Sequence, residues 1–176
     1  FNKAMTESTA IMDDQTEGTR KNLEEIAKYT STITSFSPTE AAEGLYYLAS
    51  AGYAAEQSMQ LLPIAAQFAQ AGVMGLEKAT EMLSDVQKSV SSNKDPLFDP
   101  GNIELTKKGF YRVADVVTKT AVMSNASLEQ VGQSFTNKLG AQLRLLNKSV
   151  EEGGAIIAVY ANQGIKGAVA GTQATM

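Results

Sequence analysis

Residues 37–53 read Ser37-Pro38-Thr39-Glu40-Ala41-Ala42-Glu43-Gly44-Leu45-Tyr46-Tyr47-Leu48-Ala49-Ser50-Ala51-Gly52-Tyr53, a helix with both of its ends written into the chain. Ser37 is an N-cap, and Pro38 takes the first helical position, where its missing N–H costs nothing. Glu40, three residues past the cap, can reach back to the cap's own N–H. At the far end Gly52 supplies a left-handed residue after the last turn, so that Tyr53 falls back on Leu48, five positions earlier, as in a Schellman ending.

The same stop recurs twice, in Phe68-Ala69-Gln70-Ala71-Gly72-Val73 and Tyr160-Ala161-Asn162-Gln163-Gly164-Ile165. Each predicts a left-handed glycine and a contact between flanking apolar residues, Phe68 with Val73 and Tyr160 with Ile165. The same start recurs in Ser127-Leu128-Glu129-Gln130 and Ser149-Val150-Glu151-Glu152. Between starts and stops the apolar residues return every three or four positions: Leu23, Ile26, Ala27, Thr30; Leu76, Ala79, Leu83, Val86, Val90; Ile103, Phe110, Val113, Val117, Ala121; and Leu128, Val131, Phe135, Leu139, Leu143, Leu146. No stretch alternates with period two. The expected fold is all-α, a compact multi-helix domain of about seven or eight helices of roughly 10–20 residues each.

Two places interrupt the pattern. Residues 91–102 carry two of the four prolines and no helical period, and read as a connecting loop between two helical halves. Pro63 lies inside the alanine-rich run 54–71, where its ring is expected to divide the run into a short helix and a second one starting near Pro63.

The composition excludes much chemistry. In 176 residues there is no His, Cys or Trp, so disulfides, thiolate nucleophiles, Ser-His-Asp triads and most transition-metal sites are impossible. Fifteen Lys and Arg against 19 Asp and Glu give a net charge of −4, without the basic patch of a nucleic-acid binder. Adjacent carboxylates occur at Asp13-Asp14, Glu24-Glu25 and Glu151-Glu152, but neighbours on a helix point about 100° apart and read as solvated faces or helix starts. Asp95, Asp99 and Asn102 lack the spacing and closing Glu of an EF-hand and read as an ordinary loop. No catalytic, cofactor-binding or metal-ligating residue is assigned. The first residues, Phe1-Asn2-Lys3-Ala4-Met5, do not form a signal peptide, and the chain reads as a piece of a longer protein.

Two segments are almost free of charge. The one between Glu56 and Glu77 is too polar and too broken by Pro63, Gly72 and Gly75 to span a membrane and reads as a core helix pair. The other, residues 153–176, holds Lys166 as its one charge and a Gly167-Ala168-Val169-Ala170-Gly171 spacing. Small residues at that spacing let helices pack closely, which is the preferred reading; membrane activity is the competing one.

The order of these motifs carries a resemblance. Thr34-Ser35-Phe36-Ser37-Pro38-Thr39-Glu40 through Leu45, Leu48-Ala49-Ser50-Ala51-Gly52, Leu61-Leu62-Pro63-Ile64-Ala65 and Phe68-Ala69 are followed by Val113-Ala114-Asp115-Val116-Val117 and Ser124-Asn125-Ala126-Ser127. The series closes on Ala158 through Gly167 and Ala170-Gly171-Thr172. Taken in this order they resemble the shared helical domain of phage tail tape measure proteins over nearly the whole chain, which then reads as a single such domain over 1–176, with residues 91–102 as an apparent insertion.

The resemblance implies a non-enzymatic virion protein that sits in the tail lumen or tip, sets tail length during assembly in the host cytoplasm and leaves ahead of the DNA. It implies homo-oligomers, a trimer favoured, and contacts with tail tube, tail-tip or distal tail proteins and assembly chaperones, with possible contact to the host membrane and no specific nucleic-acid binding. An all-α interaction or secreted effector module is the alternative, and an enzyme relying on carboxylates or lysine a third class. A ruler needs continuous helix, whereas the caps stop this chain after every few turns; the segment is therefore expected to be folded domain and not rod.

Overall fold

A computed structural model describes residues 1–12 and 15–175; the Asp13-Asp14 pair lies outside them. The described residues form ten α-helices and no strand, in agreement with the all-α expectation. They are α1 (Asn2–Ala10), α2 (Glu17–Ile33), α3 (Pro38–Ser50), α4 (Ala55–Ala71), α5 (Leu76–Val90), α6 (Ile103–Met123), α7 (Leu128–Ser134), α8 (Gly140–Leu145), α9 (Val150–Asn162) and α10 (Gly167–Gln173). The helices divide into two compact units, Phe1–Glu81 and Met82–Met176, so the boundary falls inside α5 and not at the proline-containing loop. That loop belongs wholly to the second unit.

In the first unit α3 is packed on by α1, α2 and α4. Its Leu45 and Leu48, with Met5, Leu23, Leu61 and Leu62, are fully buried. Gly44 makes the approach possible, because a Cβ there would stand 2.8 Å from Cδ1 of Leu62. Ser8 fastens α1 to α3 by sharing its hydroxyl between the carbonyls of Ala4 (2.7 Å) and Ala42 (2.6 Å).

The three expected helix starts are present as reciprocal capping boxes. In the first, Glu40 N–H donates to Ser37 Oγ (3.3 Å), while the Ser37 hydroxyl (2.7 Å) and then the Ser37 N–H (2.7 Å) donate to Glu40 Oε2 and hold its carboxyl below the usual range. Ser127 with Gln130 and Ser149 with Glu152 repeat it. Two expected stops are also present: Gly52 at φ 86° and Gly164 at φ 87° turn the chain, with Tyr53 N–H donating to Leu48 O (3.2 Å) and Ile165 N–H to Tyr160 O (2.9 Å). Asn147, at φ 52°, makes a further stop of the same kind, with Lys148 N–H on Leu143 O.

The third expected stop is displaced by one residue. Gly72 stays helical at φ −86°, the left-handed residue is Val73 at φ 51°, and Met74 N–H closes the motif on Ala69 O. The expected Phe68–Val73 contact is therefore absent: Phe68 is buried while Val73 is 94% exposed. The turn comes one residue later because this brings Met74, half-buried, back over the buried Ala69. A β-branched residue in the left-handed region is strained by about 1–2 kcal/mol. Val73→Gly is accordingly expected to raise stability by about 1 kcal/mol in urea denaturation.

Pro63 does not divide α4, contrary to expectation; the helix runs unbroken from Ala55 to Ala71 with Pro63 inside it. The proline removes one backbone bond and crowds the carbonyl four residues back, a penalty of about 3 kcal/mol. Leu61, Leu62, Ala65 and Ala66 are all fully buried on either side of it, and the packing of α4 against α2 and α3 outweighs that penalty.

The second unit buries Leu83, Val86, Phe110, Val113, Val117, Val131, Phe135, Leu139 and Ile157. Residues 91–102 are stitched into it: Leu97 is buried, and Gln87 Nε2 donates to Leu97 O (2.6 Å) and Thr106 O (2.7 Å). The periodic run from Leu128 to Leu146 is also not one helix. A kink within Phe135–Leu139 bends it between α7 and α8, where Asn137 at φ −92°, ψ 77° and Lys138 at φ 77° leave the helical region. Leu146 falls past the end and is exposed.

Candidate functional site

Of the carboxylates singled out in the sequence, Glu24, Asp95, Asp99, Glu151 and Glu152 are engaged in ion pairs, turns or caps. Glu24 pairs with Arg20 one turn earlier at 3.3 Å. Asp99 accepts from Gly101 N–H (2.8 Å) and Asn102 caps α6 by accepting from Leu105 N–H (3.0 Å), so the proline-containing loop uses its polar residues to turn and to start a helix. Glu152 is divided between Lys148 and the Ser149 cap, which hold its carboxyl below the usual range. Among the described residues no cluster of three or more acidic side chains is placed to hold a metal ion.

Glu151 belongs to a larger arrangement. Arg112, on α6, grips it with two parallel bonds, Nε to Oε1 at 2.6 Å and Nη2 to Oε2 at 2.7 Å, and gives Nη1 to Asp95 of the loop at 2.6 Å. One guanidinium thus joins loop, α6 and α9. Its bonds to Glu151, against the opposing effect of partial burial, pull that carboxyl down to about 2. The ordinary value is 4.5. The folded pKa is depressed, so the contribution is complete above about pH 4.5 and is lost as pH falls toward about 2. With Glu151 half exposed, screening leaves about 1 kcal/mol. Glu151→Gln is expected to remove that part of the acid-side loss of stability, read from urea denaturation at a series of pH values.

Part of the surface is apolar. Beyond Glu152, α9 carries no charge, and while Gly153, Gly154, Ile157 and Ala161 face inward, Ile156 and Val159 face outward, Val159 at 58% exposure. Val169 of α10 is exposed as well. A helix that is apolar all round is built to be covered on more than one side. This face of α9 is the candidate interaction surface; the low charge of residues 153–176 was its signal in the sequence.

Gly153, Gly154 and Gly171 of that segment serve close packing inside the unit. A Cβ on Gly153 would stand 2.7 Å from Cε1 of Phe135, one on Gly154 2.5 Å from Oγ1 of Thr120, and one on Gly171 2.6 Å from the carbonyl oxygen of Asn137. Among the described residues no helix is long and apolar enough to cross a membrane.

Capped short helices, an apolar outward face on α9 and carboxylates engaged in caps and ion pairs are the features that the described residues present. The sequence from residue 21 to 175 matches the model of the phage-related minor tail protein family, and the chain belongs to that family. It is also 32% identical over 139 residues to the tape measure protein of Pneumococcus phage Dp-1. The match takes in 79% of this chain and 11% of that relative, so the chain spans about a ninth of the relative's length. No solved structure matches.

Proposed function

We propose that this chain is a folded segment of a tape measure protein, carried in the tail lumen or at its tip, within a molecule that sets tail length during assembly in the host cytoplasm and departs ahead of the DNA at infection. The family and the similarity to a tape measure protein support the class. The observation that carries the segment's own role is its punctuation. Helices α3, α4, α8 and α9 each give way to a left-handed residue only a few turns from their start, which a measuring rod of continuous helix would not tolerate.

Its partners in this reading are tail tube, tail-tip or distal tail proteins, assembly chaperones and other copies of the same protein, met through the uncharged face of α9. Action at the host membrane would draw on the same face. A photo-cross-linking residue in place of Val159, in assembled virions, is expected to capture a tube or tip protein or a second copy. The same residue in place of Lys21, exposed on the charged surface of α2, is expected to capture neither; equal capture from both positions would contradict the assignment of the surface.

A further inference from the structure

The bend between α7 and α8 is not requested by its own residues. Thr136-Asn137-Lys138-Leu139 contains neither Pro nor Gly, and Leu128, Val131, Phe135, Leu139 and Leu143 keep the three-and-four spacing of one helix straight through it. Gly140, the next residue, is itself helical at φ −57°. Lys138 is nonetheless held at φ 77°, which L side chains avoid. The side-chain hydrogen bonds that meet this bend from another element come from α10. Asn137 Nδ2 donates to Ala168 O (2.7 Å) and Thr172 Oγ1 (3.0 Å), and Ser134 Oγ donates to Gly167 O (2.8 Å). Gly171 leaves room for the carbonyls of Ser134 and Asn137, which the bend brings close against α10.

We propose that α10 is a latch on a two-state helix. While α10 is docked, residues 128–145 stay bent; when it leaves, Lys138 relaxes into the helical region and the run closes into one straight helix of about 27 Å. Straightening restores helical backbone bonding across the kink and relieves Lys138, which offsets part of what α10 loses. The bend is thus a stored conformational change whose release is set by one short helix, a device independent of the partner reading above.

The test is NMR on the whole chain, following the Cα shifts of Asn137 and Lys138. In the parent both lie outside the helical range. Gly171→Leu, whose side chain collides with the bend, is expected to move both into it while Leu128 to Ser134 stay helical. Adding Lys138→Gly, a residue at ease at positive φ, is expected to return Asn137 to its parent value. Non-helical shifts at Asn137 and Lys138 with α10 undocked would overturn the proposal. Should Gly171→Leu unfold the unit, Asn137→Ala decides: losing two bonds to α10 is expected to shift the bent-to-straight ratio about tenfold toward straight, and an unchanged Lys138 shift would overturn it.

Discussion

Gly109→Ala is expected to destabilise the chain by about 3 kcal/mol, the upper end of what overpacking costs in a well-filled interior. A Cβ at this position in α6 would meet the backbone of Leu97, 2.7 Å from its carbonyl carbon and 2.8 Å from its Cα. A side chain in that place could swing aside, but a backbone cannot move without its bonds. Here the Leu97 carbonyl is held by Gln87 and its N–H by Ser91 Oγ (3.0 Å). The change therefore has to break the loop's seat or tilt α6. Urea denaturation measures it, and a loss below about 1 kcal/mol would mean that the loop is not seated on α6 as described.

Gln87→Leu is expected to cost about 2–4 kcal/mol by a different route. Gln87 is fully buried, and its amide satisfies two carbonyls, those of Leu97 and Thr106, that no water reaches from the Gln87 side. Leucine fills the volume but offers no donor, leaving both acceptors buried without that partner. The adjoining Thr106 bonds the loop as well, accepting from Asp99 N–H (3.1 Å) and donating to Asp99 O (2.8 Å). Thr106→Val should therefore weaken the same seat by a smaller amount, and Gln87→Leu should add little in its presence. Full additivity of the two in a double-mutant cycle would show that they do not hold the same element.

The loop illustrates which features the sequence makes legible. Its lack of periodicity and its prolines identify it, whereas Asn102, read as part of an ordinary loop, emerges as the cap of α6 only in the structure. That it packs as core is not, because Leu97 is one apolar residue among polar ones; the available signal was Gly109, an unexplained glycine in the middle of a periodic helix. The helix starts are legible because a capping box is local: Ser37, Ser127 and Ser149 need only the residue three positions on. Gly52 and Gly164 are legible for the same reason. Gly72 is not, because Val73 takes the strained position while half-buried Met74 closes the motif on Ala69, and that preference is tertiary. Pro63 and Lys138 belong with it, since in both places packing from other helices decides against the local rule. The outward face of α9 is half legible: its want of charge is plain, but only the fold shows that Ile156 and Val159 face away from the glycine side that packs inward.

In the proposed reading these 176 residues belong to a tail-length protein yet do not themselves measure length. As continuous helix they would span about 260 Å. The direct measurement is tail length by electron microscopy in phage carrying an in-frame deletion of the whole segment. Tails shortened by clearly less than that span, or unchanged where assembly persists, are the expected result. A loss equal to the full helical span, proportional to the residues removed, would contradict it.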